Sequence, residues 1–182
     1  LSAEDDRFFQ HHGVDFGGVI RALIANLQSG DIVQGFSTVT MQVAGNYFLD
    51  RTEKTYTRKL KEVFLAFNLE RELSKHEILE LYLNKIFLGQ RAYGFAAAAS
   101  VYFNKSLNDL SLAEIATLAG VPKAPSAKNP ISNPDGARVR RDYVLKRMRA
   151  LQHISEDAYL AAKNAPITAA QHITPVEIEA TY

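Results

Sequence analysis

Gln34-Gly-Phe-Ser-Thr-Val-Thr-Met-Gln-Val-Ala-Gly-Asn46 is the stretch on which the reading of this 182-residue chain turns. Gly35 permits a tight turn, and Ser37, Thr38, Thr40, Gln42 and Asn46 crowd hydroxyl and amide groups into twelve residues. Such groups suit the several hydroxyls of a sugar, or an anion held by backbone amides. The plainer alternative is a polar loop whose Ser and Thr cap the next helix. Residues 31–55 show few helix signals, so the density of polar groups predicts a binding loop.

Upstream stands Ala3-Glu-Asp-Asp-Arg-Phe-Phe-Gln-His-His-Gly13. Ser2 reads as an N-cap with Asp5 three residues on, which approximates a capping box and predicts a helix over 3–12. Glu4, Phe8 and His11 then share one stripe. Burial beside aromatic rings favours a neutral Glu4, while Arg7 and backbone amides favour its charged form. A carboxylate under that tension is a candidate general base; the alternative is a solvated acidic helix start. Between the two stretches, Val19, Ile20, Leu23, Ile24 and Leu27 form an apolar stripe over 15–29. The polar face is thin, so this helix is buried or lies on a membrane surface, and burial is the expectation.

Downstream comes a basic cluster of Arg51, Lys54, Arg58, Lys59 and Lys61, with Glu62 beside it. Thr55 or Thr57 can cap a helix whose core face is Leu60, Val63, Phe64 and Phe67. Cations gathered around one carboxylate suit a phosphate or pyrophosphate, with or without a divalent metal (Mg or Mn) at Glu62. The alternative is a solvated face of helix-spaced ion pairs. Ser74-Lys-His-Glu77 is a capping box opening a helix to about Leu88, which Gly89 ends. Gly94–Phe103 reads as a core helix, Ser111-Leu-Ala-Glu114 caps another that stops at Gly120, and Asp135 restarts a helix to about Leu151. Its polar face carries Arg138, Arg140, Arg141, Lys146, Arg147 and Arg149. A shorter helix covers about 156–164, and 166–182 reads as a linker with one strand near Ile178.

The totals narrow the classes. Hydrophobic residues at 47% with 23% charged describe a globular domain. Basic and acidic residues balance at 21 to 20, no nucleic-acid signature. There are no cysteines, which excludes disulfides and thiolate chemistry, and no apolar run reaches the roughly 18 residues of a membrane span.

Four ordered blocks carry a family resemblance: Glu4-Asp5-x-x-Phe8-x-x-His11-x-Gly13; Gly35-x-Ser37-Thr38-x-Thr40-x-Gln42-x-x-x-Asn46; Arg58-Lys59-x-x-Glu62; and Tyr82-Leu83-Asn84 through Gly89 to Ala92-Tyr93-Gly94 and Tyr102-Phe103. A fifth, Arg140-x-x-x-Val144-Leu145, follows. Over about residues 1–165 the chain resembles the peptidoglycan glycosyltransferase (transglycosylase) domain of class A penicillin-binding proteins, especially the Gram-negative 1a type. The resemblance implies a mainly α, lysozyme-like fold of two lobes with a substrate cleft. It implies polymerisation of lipid II onto a growing glycan on undecaprenyl diphosphate, with no organic cofactor.

Residue by residue, Glu4 matches the base that takes the acceptor's 4-hydroxyl proton. Glu62 matches a second carboxylate that holds the donor diphosphate directly or through a metal. Ser37, Thr38, Gln42 and Asn84 match substrate-cleft positions, and Asp5, His11, Gly35, Thr40, Asn46, Tyr93 and Arg140 belong to the same blocks. Arg51, Arg58 and Lys59 are the expected diphosphate cations. The resemblance also implies the periplasmic side of the inner membrane. An anchor before Leu1 and a transpeptidase domain after Tyr182 are expected, since no Ser-x-x-Lys occurs here. Membrane contact is expected at about 16–36 and at Tyr47-Phe48-Leu49. Two positions depart from the family pattern. Gly45 stands where a lysine is usual, so that either Lys54 or Arg51 substitutes or phosphate affinity is lower, and Phe87 stands where a tyrosine is common, with the loss of one hydroxyl. A glycan hydrolase is disfavoured because it has no diphosphate to neutralise, and a catalytically silent binding module is the remaining alternative.

Overall fold

A computed structural model describes residues 1–29, 37–50, 53 and 55–172, and the described residues form eight α-helices and no β-strand. They are α1 (Phe16–Ser29), α2 (Val39–Phe48), α3 (Tyr56–Glu72), α4 (Lys75–Lys85), α5 (Phe95–Phe103), α6 (Leu112–Gly120), α7 (Pro134–Ala150) and α8 (Glu156–Asn164). The mainly α expectation holds. Short polar side chains begin most of these helices by taking an orphan amide; α5 starts instead at Gly94, with no side-chain cap. Thr55 accepts from Arg58 N, and Ser74 and Ser111 each complete a capping box with Glu77 and Glu114. Asn133 caps α7, with Pro134 at its first position.

The helices fall into two compact units, Leu1–Ile86 and Phe87–Tyr182. In the first, α2 packs against α3 and α4, and Val39, Met41, Val43, Ala44, Ala66 and Ile78 are almost wholly buried. In the second, α7 packs against α6 and α8. Tyr102 anchors this unit: its hydroxyl donates to Leu88 O and accepts from Asn129. Residues 166–172 read as the start of a linker, yet here they run along α5. The Ala170 and His172 amides donate to the carbonyls of Tyr102 and Val101. The strand expected near Ile178 lies outside the described residues.

Several local expectations are corrected. Residues 3–12 form successive turns, not a helix; the Asp5 carboxylate bonds His11 and the Val39 amide instead of closing a capping box with Ser2. Asp15 accepts from Gly18 N at the start of α1 and pairs with Arg7. The stretch expected as a loop contains helix α2, whose N-cap is Thr38. Its Val, Thr and Gly residues are poor helix formers by about 0.5–1 kcal/mol each. Burying Val39, Met41 and Val43 is worth roughly 1.5–3 kcal/mol apiece, so packing prevails. Helix α4 stops at Lys85 rather than Leu88, and a tight turn follows in which Gly89, Gln90 and Arg91 all have positive φ.

Two apolar faces are reversed. Helix α1 exposes Phe16, Ile20, Ile24 and Leu27, at 66%, 60%, 50% and 74%, against the expectation of burial. Helix α3 exposes Tyr56, Leu60, Phe64 and Phe67, and turns Glu62 and Ala66 inward. The cause is close backbone approach. Gly13, at φ +79°, lies so near α3 that a Cβ on it would stand 3.1 Å from the Ala66 carbonyl carbon. Only the small-residue side of α3 fits there. Arg141, expected on a solvated face, is fully buried and donates to the carbonyls of Lys163 and Ala165 at the end of α8.

Candidate active site

The N-terminal turns gather one end of the site. Asp5 is buried and accepts from the Val39 amide at 2.9 Å, so its charge sits at the N-terminus of α2, where the helix dipole favours it. His11 Nε2 lies 3.0 Å from both Asp5 oxygens, and its Nδ1 is buried with no hydrogen-bond partner. Nε2 therefore carries the proton towards Asp5 when the ring is neutral. Glu4 is half-buried next to Asp5. The negative charges of both bear on Tyr82, which is 6% exposed on α4; burial first, then those carboxylates, hold its phenol above the usual value. The sequence reading did not single out Tyr82 for this role. Its place in the Tyr-Leu-Asn block was the one available signal.

Residues 37–39 join that end to the next. The Val39 amide binds Asp5, Thr38 Oγ1 donates to Gly13 O and caps Met41 N, and Ser37 Oγ accepts from Lys59 Nζ at 2.5 Å. Thr40 is wholly buried and donates to Glu70 at 2.6 Å. Glu70 also holds Lys75, whose ammonium lies 4.4 Å from the centre of the Phe8 ring. Thr38 and Thr40 thus act inside the fold, tying α2 to the turns and to α3. The pairing of Thr40 with Glu70 spans 30 positions, so no sequence signal revealed it.

The other end is Glu62. Its side chain is 9% exposed; Oε1 pairs with Arg58 Nη1 at 3.0 Å and Oε2 with Lys59 Nζ at 2.8 Å. Two cations on one carboxylate leave the cluster net positive, with Arg58 and Lys59 partly open to solvent. Helix spacing of three and four residues places both on Glu62. Gly45 of α2 lies directly over this pair. The cation beside Gly45 is thus Arg58, while the expected substitutes, Lys54 and Arg51, lie outside the described residues, as does Gly35.

Gln42 and Asn46 are half-buried on α2, and Asn84 is exposed near the end of α4. In the second unit, Tyr93 is half-exposed and packs against Phe87, ring centres 5.1 Å apart and planes tilted at 44°. Arg140 lies over the Tyr143 ring at 4.5 Å and beside Gly120.

A family profile described as Transglycosylase matches residues 1–149. The chain belongs to the transglycosylase family. The resemblance read from the ordered blocks is borne out. This transglycosylase is 52% identical over 182 residues to penicillin-binding protein 1A of Pseudomonas aeruginosa, covering 100% of this chain and 22% of that one. It is 56% identical over 167 residues to a putative transglycosylase of Cupriavidus necator, covering 92% of this chain and 71% of that protein. Among solved structures, penicillin-binding protein 1A from Haemophilus influenzae matches with a TM-score of 0.51 and 41% identity, over 74% of this chain and 17% of that one. The chain thus spans about a fifth of the length of these penicillin-binding proteins.

The described residues offer no preformed site for a divalent ion. Both Glu62 oxygens are already bonded to cations, and among the described residues no three His, Asp or Glu side chains group to hold a metal.

Proposed function

We propose that this transglycosylase polymerises lipid II into β-1,4-linked glycan on the periplasmic face of the inner membrane. The observation that carries the reading is the Glu62 cluster, a net positive group built from a buried carboxylate and two cations. A diphosphate leaving group accumulates negative charge as its bond to the sugar breaks, and fixed cations offset that charge without reorganising. Arg58 and Lys59 have that role. Glu62 is a positioning residue, since its oxygens hold the two cations in place.

Glu4 takes the proton from the acceptor 4-hydroxyl. The freed oxygen attacks the donor's anomeric carbon, the bond to the α-linked diphosphate breaks, and the electron pair leaves with the diphosphate. One displacement inverts the centre to β and needs no covalent intermediate. The division of labour resembles that in inverting glycosidases, with an activated leaving group replacing acid assistance.

A polyprenyl donor requires contact with a lipid surface. Among the described residues no helix is long and apolar enough to cross a membrane, and α1 with its 14 residues is about 21 Å long. The exposed stripes of α1 and α3, with Tyr47 and Phe48 at the end of α2, suit the interface plane. An anchor and a linked transpeptidase domain complete the proposed full-length protein.

The test is incubation with labelled lipid II in detergent. Polymer is expected, and Glu4→Gln is expected to lower its rate by more than about a hundredfold with the melting temperature kept. Shortened glycan, or binding without turnover, would overturn the reading in favour of a hydrolase or a silent binding module.

A further inference from the structure

The turn after α4 is strained, and the side chains of its strained residues bring no contact in return. Gly89, Gln90 and Arg91 have φ of +79°, +46° and +59°. Glycine adopts that conformation freely, whereas in Gln and Arg the Cβ crowds the following carbonyl. The other described non-glycine residues with positive φ, Asn104 and Gln152, each finish a helix and donate to Ser100 O and Arg149 O. Gln90 and Arg91 finish no helix. Their side chains are exposed and make no hydrogen bond or ion pair with the described residues. What the turn achieves is the placement of two rings. The Leu88 amide donates to Ala92 O and the Ala92 amide to Gly89 O. The chain thereby doubles back, and Phe87 and Tyr93 face each other in an antiparallel bridge with ring centres 5.1 Å apart. Buried polar groups brace the turn from within: Tyr102 donates to Leu88 O and Asn129 donates to the Tyr102 hydroxyl. A Cβ on Gly89 would stand 2.8 Å from that hydroxyl and 2.9 Å from Asn129 Nδ2. Tyr93 is left 53% exposed on this fixed base.

We propose that the turn 87–93 is a saccharide-binding platform. The Tyr93 ring packs on the C–H face of a β-1,4-linked amino sugar, Gln90 serves its hydroxyl and acetamido groups, and Arg91 takes an acidic substituent. A pyranose presents C–H groups on its faces and polar groups around its edge. A fixed aromatic ring flanked by an amide, which both donates and accepts, matches that pattern. Phe87 has no hydroxyl and backs the Tyr93 ring as an apolar support. The Arg91 guanidinium is unpaired, and its planar fork suits a carboxylate through two parallel hydrogen bonds. Backbone strain persists at ligand-holding positions when the surroundings over-determine it, and Tyr102 and Asn129 do so here. The identity of the sugar rests on the polymerase reading above, whose product is such a chain.

The test titrates the protein with two lipid-free probes. One is a peptidoglycan tetrasaccharide stripped of its peptides, which carries lactyl carboxylates; the other is the neutral β-1,4-linked tetramer of N-acetylglucosamine. Affinity is read by calorimetry, folding by melting temperature, and turnover by lipid II polymerisation. Tyr93→Ala is expected to weaken both probes about tenfold, and Tyr93→Phe to stay within about twofold of wild type. Arg91→Ala is expected to weaken the acidic tetrasaccharide about fivefold and to leave the neutral tetramer within about twofold. Arg91→Gly is expected to lose the same affinity while its melting temperature equals or exceeds wild type, because glycine relieves the strain. Wild type and Tyr93→Ala binding both probes equally would overturn the proposal, as would a wild type that binds neither. If Tyr93→Ala fails to fold, Arg91→Ala decides: equal losses for the two probes, or none, would overturn the assignment. A wild type that shows the expected pattern but makes no polymer removes the polymerase reading and leaves the platform standing. Polymerisation that Tyr93→Ala matches in KM and product length overturns the platform alone.

Discussion

Asp5 shows how much of the site rests on single side chains. Its carboxylate serves the Val39 amide and the His11 ring at once, inside the protein. Replacing it with alanine leaves a buried amide and a buried ring N–H without acceptors, each costing about 1–3 kcal/mol. We expect Asp5→Ala to lose roughly 2–4 kcal/mol in denaturant unfolding, with α2 the first helix to lose amide protection in hydrogen exchange. Asp5→Asn is expected to lose less, because its side-chain oxygen can still accept from Val39. Glu62 is the opposite case: its carboxylate holds two side chains of its own helix, Arg58 and Lys59, in one place.

At the scale of elements, two helices are defined by faces that burial does not explain. The α1 and α3 stripes repeat at four-residue and three-residue intervals and stay exposed. Exposed apolar patches of more than a few hundred Å² mark interaction sites. Ile20→Glu combined with Phe64→Glu is expected to lower co-sedimentation with anionic phospholipid vesicles by at least about tenfold, with the melting temperature unchanged. A fall in melting temperature instead would mean that these stripes pack within the fold. Helix α7 relies on the reverse arrangement, a buried cation. Arg141→Met removes the donors to two carbonyls at the end of α8, and a loss of roughly 3 kcal/mol is expected in urea unfolding.

For the molecule as a whole, stability against pH follows from a few carboxylates and two buried phenols, Tyr82 and Tyr102. Burial alone would raise Asp15, but the Gly18 amide and Arg7 outweigh it and hold it below 3.8. Glu114 is likewise raised by burial and brought below 4.5 by Lys105 and Ser111, while the Ser74 hydroxyl and amide lower Glu77. All three are more acidic folded than unfolded, so the unfolded chain binds more protons in acid. Their stabilisation is present above about pH 4.5 and is lost as pH falls through the folded values. Tyr102 has the opposite sign: burial pushes it up to about 12, against a partial opposing effect of Asn129. Its contribution is present below pH 10 and is lost between there and about 12. Thermal melts from pH 3 to 11.5 are expected to fall at both ends, and Tyr102→Phe is expected to make the alkaline limb shallower, with Tyr82 supplying the remainder.

Signals contained within a few residues were legible in the sequence. The capping boxes at Ser74 and Ser111, the helix ends at Gly120 and near Leu151, and the ordered blocks from Glu4 to Arg140 needed no tertiary information. The pairing of Arg58 and Lys59 with Glu62 belongs here too, since helix spacing alone brings them together. Tertiary structure decided the rest. It made a helix of the Val- and Thr-rich stretch after Ser37, because packing on α3 and α4 outweighs weak propensity. It turned Leu60 and Phe64 outward, because the backbone at Gly13 comes too close to α3 at Ala66 for a large side chain between them. Periodicity reports that a helix has an apolar face, but how near its neighbours approach determines which face they cover.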